Sequence, residues 1–128
     1  MPTKLNQPMR VIIDQLPPST NHYLGRGRNG RSYRTNEANA WLTYASYKIR
    51  EAHKSTFDKP VEIHIVVNYS HGGRDLDNFL KLTIDVLRYA KVLESDTLLK
   101  VQGVHILTGK RVEKGDESLE IDVRELDL

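Results

Sequence analysis

The chain contains no cysteine. Disulfides, zinc–thiolate sites, iron–sulfur clusters and thiol nucleophiles are therefore excluded, and the absence fits a reducing compartment. No apolar run approaches the roughly 20 residues needed to span a bilayer, and the N-terminus has no apolar signal core. A soluble cytoplasmic protein without a membrane partner is expected. Aromatic residues are also sparse, with one Trp and two Phe against six Tyr. No internal repeat or linker is evident, so residues 1–128 read as one domain, long enough to bury a core without covalent staples.

Charge of one sign is lacking only on average. The net charge is +2, but residues 1–60 hold ten Lys/Arg against four Asp/Glu, and residues 61–128 hold nine against thirteen. A basic half beside an acidic half suits a polyanion gripped by one region and processed in the other. The same numbers also describe an ordinary mixed surface.

The pattern predicts an α/β fold, a mixed β-sheet with two helices in the order β-α-β-α-β-β. Arg10 to Leu16 is a short strand ended by Pro17 and Pro18. Residues 20–35 form a basic loop, with Gly25, Gly27 and Gly30 among Arg26, Arg28, Arg31 and Arg34, low in apolar content and expected to be mobile. Asn36 to about His53 has helical spacing, capped by Thr35 or Asn36. Trp41, Tyr44 and Tyr47 read as packing residues of that helix, with base stacking the alternative. Val61 to Tyr69 alternates as a strand. A second helix runs from Asp77 to about Tyr89. Two strands follow, Leu98 to Thr108 and Ser118 to Arg124, joined by Gly109 to Glu117 as a loose hairpin. Helical crossovers predict parallel pairs and the hairpin an antiparallel one.

The chemistry concentrates in Arg74-Asp75-Leu76-Asp77-Asn78, followed by Lys81, Asp85 and Asp96. Two carboxylates one residue apart at a strand-to-helix junction repel each other unless a cation sits between them. Hard Mg²⁺ takes oxygen ligands from one or two carboxylates and leaves positions for phosphate and water. Asp77, Lys81 and Asp85 are four apart and share a helical face. Lys81 suits a phosphate, or an ordinary ion pair with Asp77 or Asp85. The aspartate pair can equally cap a helix. Asp85 either braces Lys81 or lies on the surface. The five histidines, His22, His53, His64, His71 and His105, show no metal-ligand spacing; only His71 neighbours the aspartates.

Pro17-Pro18-Ser19-Thr20-Asn21 resembles the early Pro-Pro-Ser-x-Asn signature of RusA-type crossover junction endodeoxyribonucleases. Arg74-Asp75-Leu76-Asp77-Asn78 with Lys81 and Asp85 is similar to the core of that family, and Asp96 matches its third acidic position. The resemblance spans about residues 10–125. It implies Mg²⁺-dependent resolution of four-way (Holliday) DNA junctions by paired symmetrical nicks in recombination and repair, with Mn²⁺ a possible substitute metal. It further implies a homodimer acting on branched DNA in a bacterial or phage-infected cell, the gene often belonging to a phage or prophage. The metal-binding and catalytic roles carry over to Asp75, Asp77 and Asp96, and a catalytic role to Lys81. Asn21, Asn78 and Asp85 are candidates to support them. Arg26, Arg28, Arg31, Arg34 and Arg74 are the expected DNA contacts. Relatives can carry a run of arginines before the core, whereas Ser70-His71-Gly72-Gly73 leaves Arg74 alone here. A non-catalytic junction or duplex binder, and a nuclease for other branched DNA, are the rival readings.

Overall fold

The computed structural model describes residues 6–127. The elements are β1 (Met9–Ile13), α1 (Thr20–Tyr23), β2 (Leu24–Arg26), β3 (Ser32–Arg34), α2 (Asn36–Ala52), β4 (Val61–Tyr69), α3 (Leu76–Tyr89), β5 (Val101–Arg111) and β6 (Ser118–Glu125). The main sheet has the order β1-β6-β4-β5, and β2 pairs with β3 in a second, two-stranded sheet. No described helix is long and apolar enough to cross a membrane.

Alternation decides which face of the sheet is covered. Val61, Ile63, Ile65 and Val67 on β4, Leu119, Ile121 and Val123 on β6, and Met9, Val11 and Ile13 on β1 share one core with Trp41, Leu42, Ala45 and Ile49 of α2 and Phe79, Val86 and Leu87 of α3. The residues between them in the strands point to the other, open face. Helix α2 begins where expected, with the Thr35 hydroxyl accepting from the Ala38 amide at 3.1 Å. Of the three α2 aromatics, Trp41 is buried and donates through Nε1 to the Gln15 carbonyl at 3.0 Å, Tyr44 packs against the core, and Tyr47 is 63% exposed. Tyr47 is thus not a packing residue: the stripe that faces the sheet passes through Ala38, Trp41, Leu42, Ala45 and Ile49 instead.

Two expectations are corrected. Strands β5 and β6 do not form a hairpin; they flank β4 on opposite sides, β5 parallel to it and β6 antiparallel. Strand β4 is paired on both edges, and the connection from β5 to β6, residues 112–117, steps over it, a span of roughly 10 Å. The Val112 amide secures that step by donating to the Tyr69 carbonyl at 2.7 Å. Gly109 permits it, since a Cβ there would lie 2.3 Å from Asn68 Oδ1, beside the register shift at the end of β4.

The basic loop is also more ordered than its composition suggests. It contains α1 and the β2–β3 hairpin, turned between Gly27 and Gly30, whose φ of 77° is open to glycine at little steric expense. Gly25 lets the Tyr33 ring lie directly over its backbone, where a Cβ would be 2.4 Å from the ring.

Thr83 is fully buried in α3 and its hydroxyl has no hydrogen-bond partner among the described residues. Thr83→Val keeps the shape and removes the unsatisfied group, so it should raise stability by about 1 kcal/mol in denaturant titration; a loss of stability would show that the hydroxyl is satisfied.

Glu125 is buried and accepts from the amides of Asn6, Asp58 and Lys59 at 2.5, 2.8 and 2.8 Å. Burial pushes its pKa up, but these donors outweigh burial and leave it below the ordinary value. A carboxyl depressed in the folded state stabilises the protein above its unfolded pKa of about 4.3, and that stability is lost as pH falls through the lower folded value. Glu125→Gln should therefore flatten the fall in stability on acidification below that pH. Identical acid profiles for the two proteins would exclude this contribution.

Candidate active site

The turn between β4 and α3 is built around Arg74. Its Nη1 donates to the Pro17 carbonyl at 2.7 Å and Nη2 to the Pro18 carbonyl at 3.1 Å. The guanidinium lies 4.3 Å from the centre of the Phe79 ring, a cation–π contact. Burial lowers its pKa from the usual arginine value, and its Nε is buried without a partner. Arg74 is among the expected DNA contacts, and both of its terminal nitrogens bind main chain, tying the Pro17–Pro18 segment to the start of α3.

With Arg74 held, Asp75 becomes the N-cap of α3 in an extended conformation, φ −78° and ψ 138°. Its carbonyl accepts from the Asn78 amide at 3.3 Å, but its carboxylate makes no capping hydrogen bond. Asp77 occupies the first turn, and both side chains are exposed. The helix N-terminus beneath them carries partial positive charge, which favours anions there. The capping explanation of the pair is thus not realised at Asp75.

Lys81 stands one turn further on, exposed, in a groove lined by Tyr23, Leu24, Arg34, Asn78, Leu82 and Asp85. Among the described residues it forms no ion pair with Asp77 or Asp85. Asp85 is engaged elsewhere: the Tyr23 hydroxyl donates to its Oδ2 at 2.5 Å. Burial, reinforced by that carboxylate, pushes the Tyr23 hydroxyl well above the usual tyrosine pKa, so it remains a donor. This contact docks the β2–β3 hairpin beside α3. Arg34 reaches the Tyr89 ring at 5.6 Å from its centre, and Arg26, Arg28, Arg31 and Arg34 are all exposed. The side chain of Asn21 lies outside the described residues.

Asp96 is placed differently. Its Oδ2 lies 3.8 Å from Arg88 Nη1. Arg88 is eleven residues beyond Asp77 on α3, about 16 Å along the axis. One chain therefore brings Asp75, Asp77 and Lys81 to one end of α3 and sets Asp96 beside the other. Among the described residues the one set of three acidic or histidine ligand atoms within 4.8 Å of one another is Glu62, His64 and His105, on β4 and β5. Sequence reasoning missed that set, the Tyr23–Asp85 contact and the carbonyl partners of Arg74. Tyr23 lies two residues beyond the Pro-Pro-Ser-Thr-Asn segment, after His22, and that proximity is its local signal.

An unencumbered carboxylate pair, a lysine one turn away and a groove edged by Arg34 are groups suited to metal-assisted phosphodiester chemistry on a polyanion. The family described as Endodeoxyribonuclease RusA matches residues 15–124. The chain belongs to that family and is an endodeoxyribonuclease. It is similar to "Crossover junction endodeoxyribonuclease RusA" of Aquifex aeolicus (strain VF5), 28% identical over 120 residues that cover 91% of this chain and 90% of the relative.

Arg74→Ala should lower stability by about 2 kcal/mol, because it removes charged donors from two carbonyls, and should also reduce cleavage by loosening the turn that carries Asp75. Unchanged stability would mean that the Pro17–Pro18 segment is held by other contacts.

Proposed function

We propose that the protein resolves four-way DNA junctions by paired symmetrical nicks, with Mg²⁺ as its metal, acting as a homodimer in recombination and repair. The observation that carries this reading is the Asp75–Asp77 pair, free of capping duty at Asp75, with Lys81 one turn along in the arginine-edged groove. The name of the similar Aquifex protein supports the choice of substrate.

Two exposed carboxylates with room for phosphate oxygens are a donor set suited to Mg²⁺, and Mn²⁺ accepts the same oxygen ligands. Asp75 and Asp77 would hold the metal, which would supply an activated water and neutralise charge on the scissile phosphate. Lys81 offsets the negative charge that develops on the phosphate in the transition state. Arg26, Arg28, Arg31 and Arg34 grip flanking phosphates from the hairpin, and Tyr23 fixes that hairpin through Asp85.

The position of Asp96 supports the dimer. A two-fold axis that sets two α3 helices antiparallel carries the second subunit's Asp96 toward the first subunit's aspartate pair, completing the site in trans. Leu98 and Leu99 beside Asp96 are 87% and 80% exposed, and Tyr89 is 44% exposed; an apolar patch of this kind marks an interface. A junction has near two-fold symmetry, so two related sites also suit paired nicks.

A synthetic four-way junction should be cut with Mg²⁺ and left intact with EDTA. Asp75→Asn should abolish cutting while keeping junction binding, and cutting at the normal rate would remove Asp75 from the metal site. Lys81→Ala should slow turnover by about 10²–10³-fold with little change in Tm. Leu98→Glu with Leu99→Glu should give a folded, inactive monomer in sedimentation; an active monomer would refute the shared site. Faster cutting of forks or flaps than of junctions would redirect the substrate.

A further inference from the structure

The sheet face turned away from α2 and α3 carries a second cluster, outside the nuclease reading. Glu62 and His64 lie two apart on β4 and point the same way. Parallel pairing sets His64 directly opposite His105 of β5, and antiparallel pairing sets Glu62 opposite Arg124 of β6. The two imidazoles stack with centres 4.6 Å apart and planes 7° from parallel. Three groups converge on one oxygen, Glu62 Oε1: His64 Nε2 at 2.5 Å, Arg124 Nη2 at 3.4 Å and His105 Nε2 at 3.6 Å.

We propose that Glu62, His64 and His105 form a binding site for a borderline transition-metal ion, of which Zn²⁺ is the representative. Imidazole nitrogen selects zinc, nickel or copper over magnesium, which prefers oxygen alone. Zinc bonds of about 2.0–2.2 Å in a tetrahedral site place ligand atoms about 3.3 Å apart. The distances of 2.5 and 3.6 Å from Glu62 Oε1 to the two Nε2 atoms bracket that value, and rotation of one imidazole out of the parallel stack turns both Nε2 lone pairs toward one ion. Neighbouring hydrogen-bonded strands hold all three residues, which keeps the ligands in place before the ion arrives. Two histidines and one carboxylate leave the fourth position open. Asp122, opposite His64 on β6, occupies the same face. Arg124 is the competitor: it offers the carboxylate a cation already, and an incoming ion displaces it.

The test is Zn²⁺ titration of the full-length protein against a chromophoric chelator, with imidazole nitrogens followed by NMR. One Zn²⁺ should bind and shift the His64 and His105 signals together. His64→Ala and His105→Ala should each weaken binding at least tenfold, Arg124→Gln should tighten it, and Asp75→Asn with Asp77→Asn should leave it unchanged. Equal Zn²⁺ affinity in the wild type and the double-histidine variant, or unmoved His64 and His105 signals at one equivalent, would overturn the proposal. The NMR measurement uses the wild-type protein, so it decides the matter even if a variant folds poorly. Junction cleavage plays no part in either readout, so the two functional readings fail independently.

Discussion

The site depends on one half-buried cation. Arg74 joins two segments far apart in the chain, the Pro17–Pro18 turn after the first strand and the aspartate turn after the fourth, by two hydrogen bonds and a ring contact with Phe79. A guanidinium is suited to this because its planar fork addresses two carbonyls at once and stays charged when partly desolvated. Proline supplies rigid carbonyls that need not move to meet it. The result is a turn whose next residue enters α3 already extended, with its carboxylate directed to solvent rather than folded back as a cap. The orientation of Asp75 is therefore set from behind, by the Arg74 side chain and its main-chain partners.

The sheet divides its labour by face and by edge. One face holds α2 and α3 and so positions the nuclease end of α3. Among the described residues the other face has no helix, and its ionisable residues meet both along β4, as Glu62 and His64 do, and across strands. The β2–β3 hairpin belongs to neither; it is fastened through Tyr23 to α3 itself, so the arginines move with the helix that bears Lys81 and the aspartates. Hairpin and helix are thereby joined through the part-buried Tyr23–Asp85 contact and through Arg34 on the Tyr89 ring.

Much of this was legible from the residues. Helix α2, helix α3 and strand β4 followed from periodicity, and Thr35 capped as its side chain dictates. The aspartate pair and Lys81 were readable as one group because i, i+2 and i, i+4 relations are local. What failed was long-range. The order of β5 and β6 turned on which strand needed two neighbours, a tertiary requirement that overrides the habit of joining consecutive strands. The basic segment looked like a loop because its hairpin is held by glycine positions and one aromatic rather than by apolar alternation. His64 and His105 are forty-one residues apart, and only parallel register makes them neighbours. Asp96 could be matched to a motif, but not placed in space, because loop direction after a helix is not encoded in spacing.

The place of β6 has a consequence for how the molecule comes into being. It is the last strand in order, yet it lies inside the main sheet, between β1 and β4. Until those residues emerge from the ribosome, β1 and β4 have no common partner, and the carbonyls of the Pro17–Pro18 segment lack a settled frame from which to receive Arg74. Assembly therefore closes from the tail inward. A nascent chain that already carries Asp75 and Asp77 would still lack the strand between β1 and β4 that completes the sheet under α3.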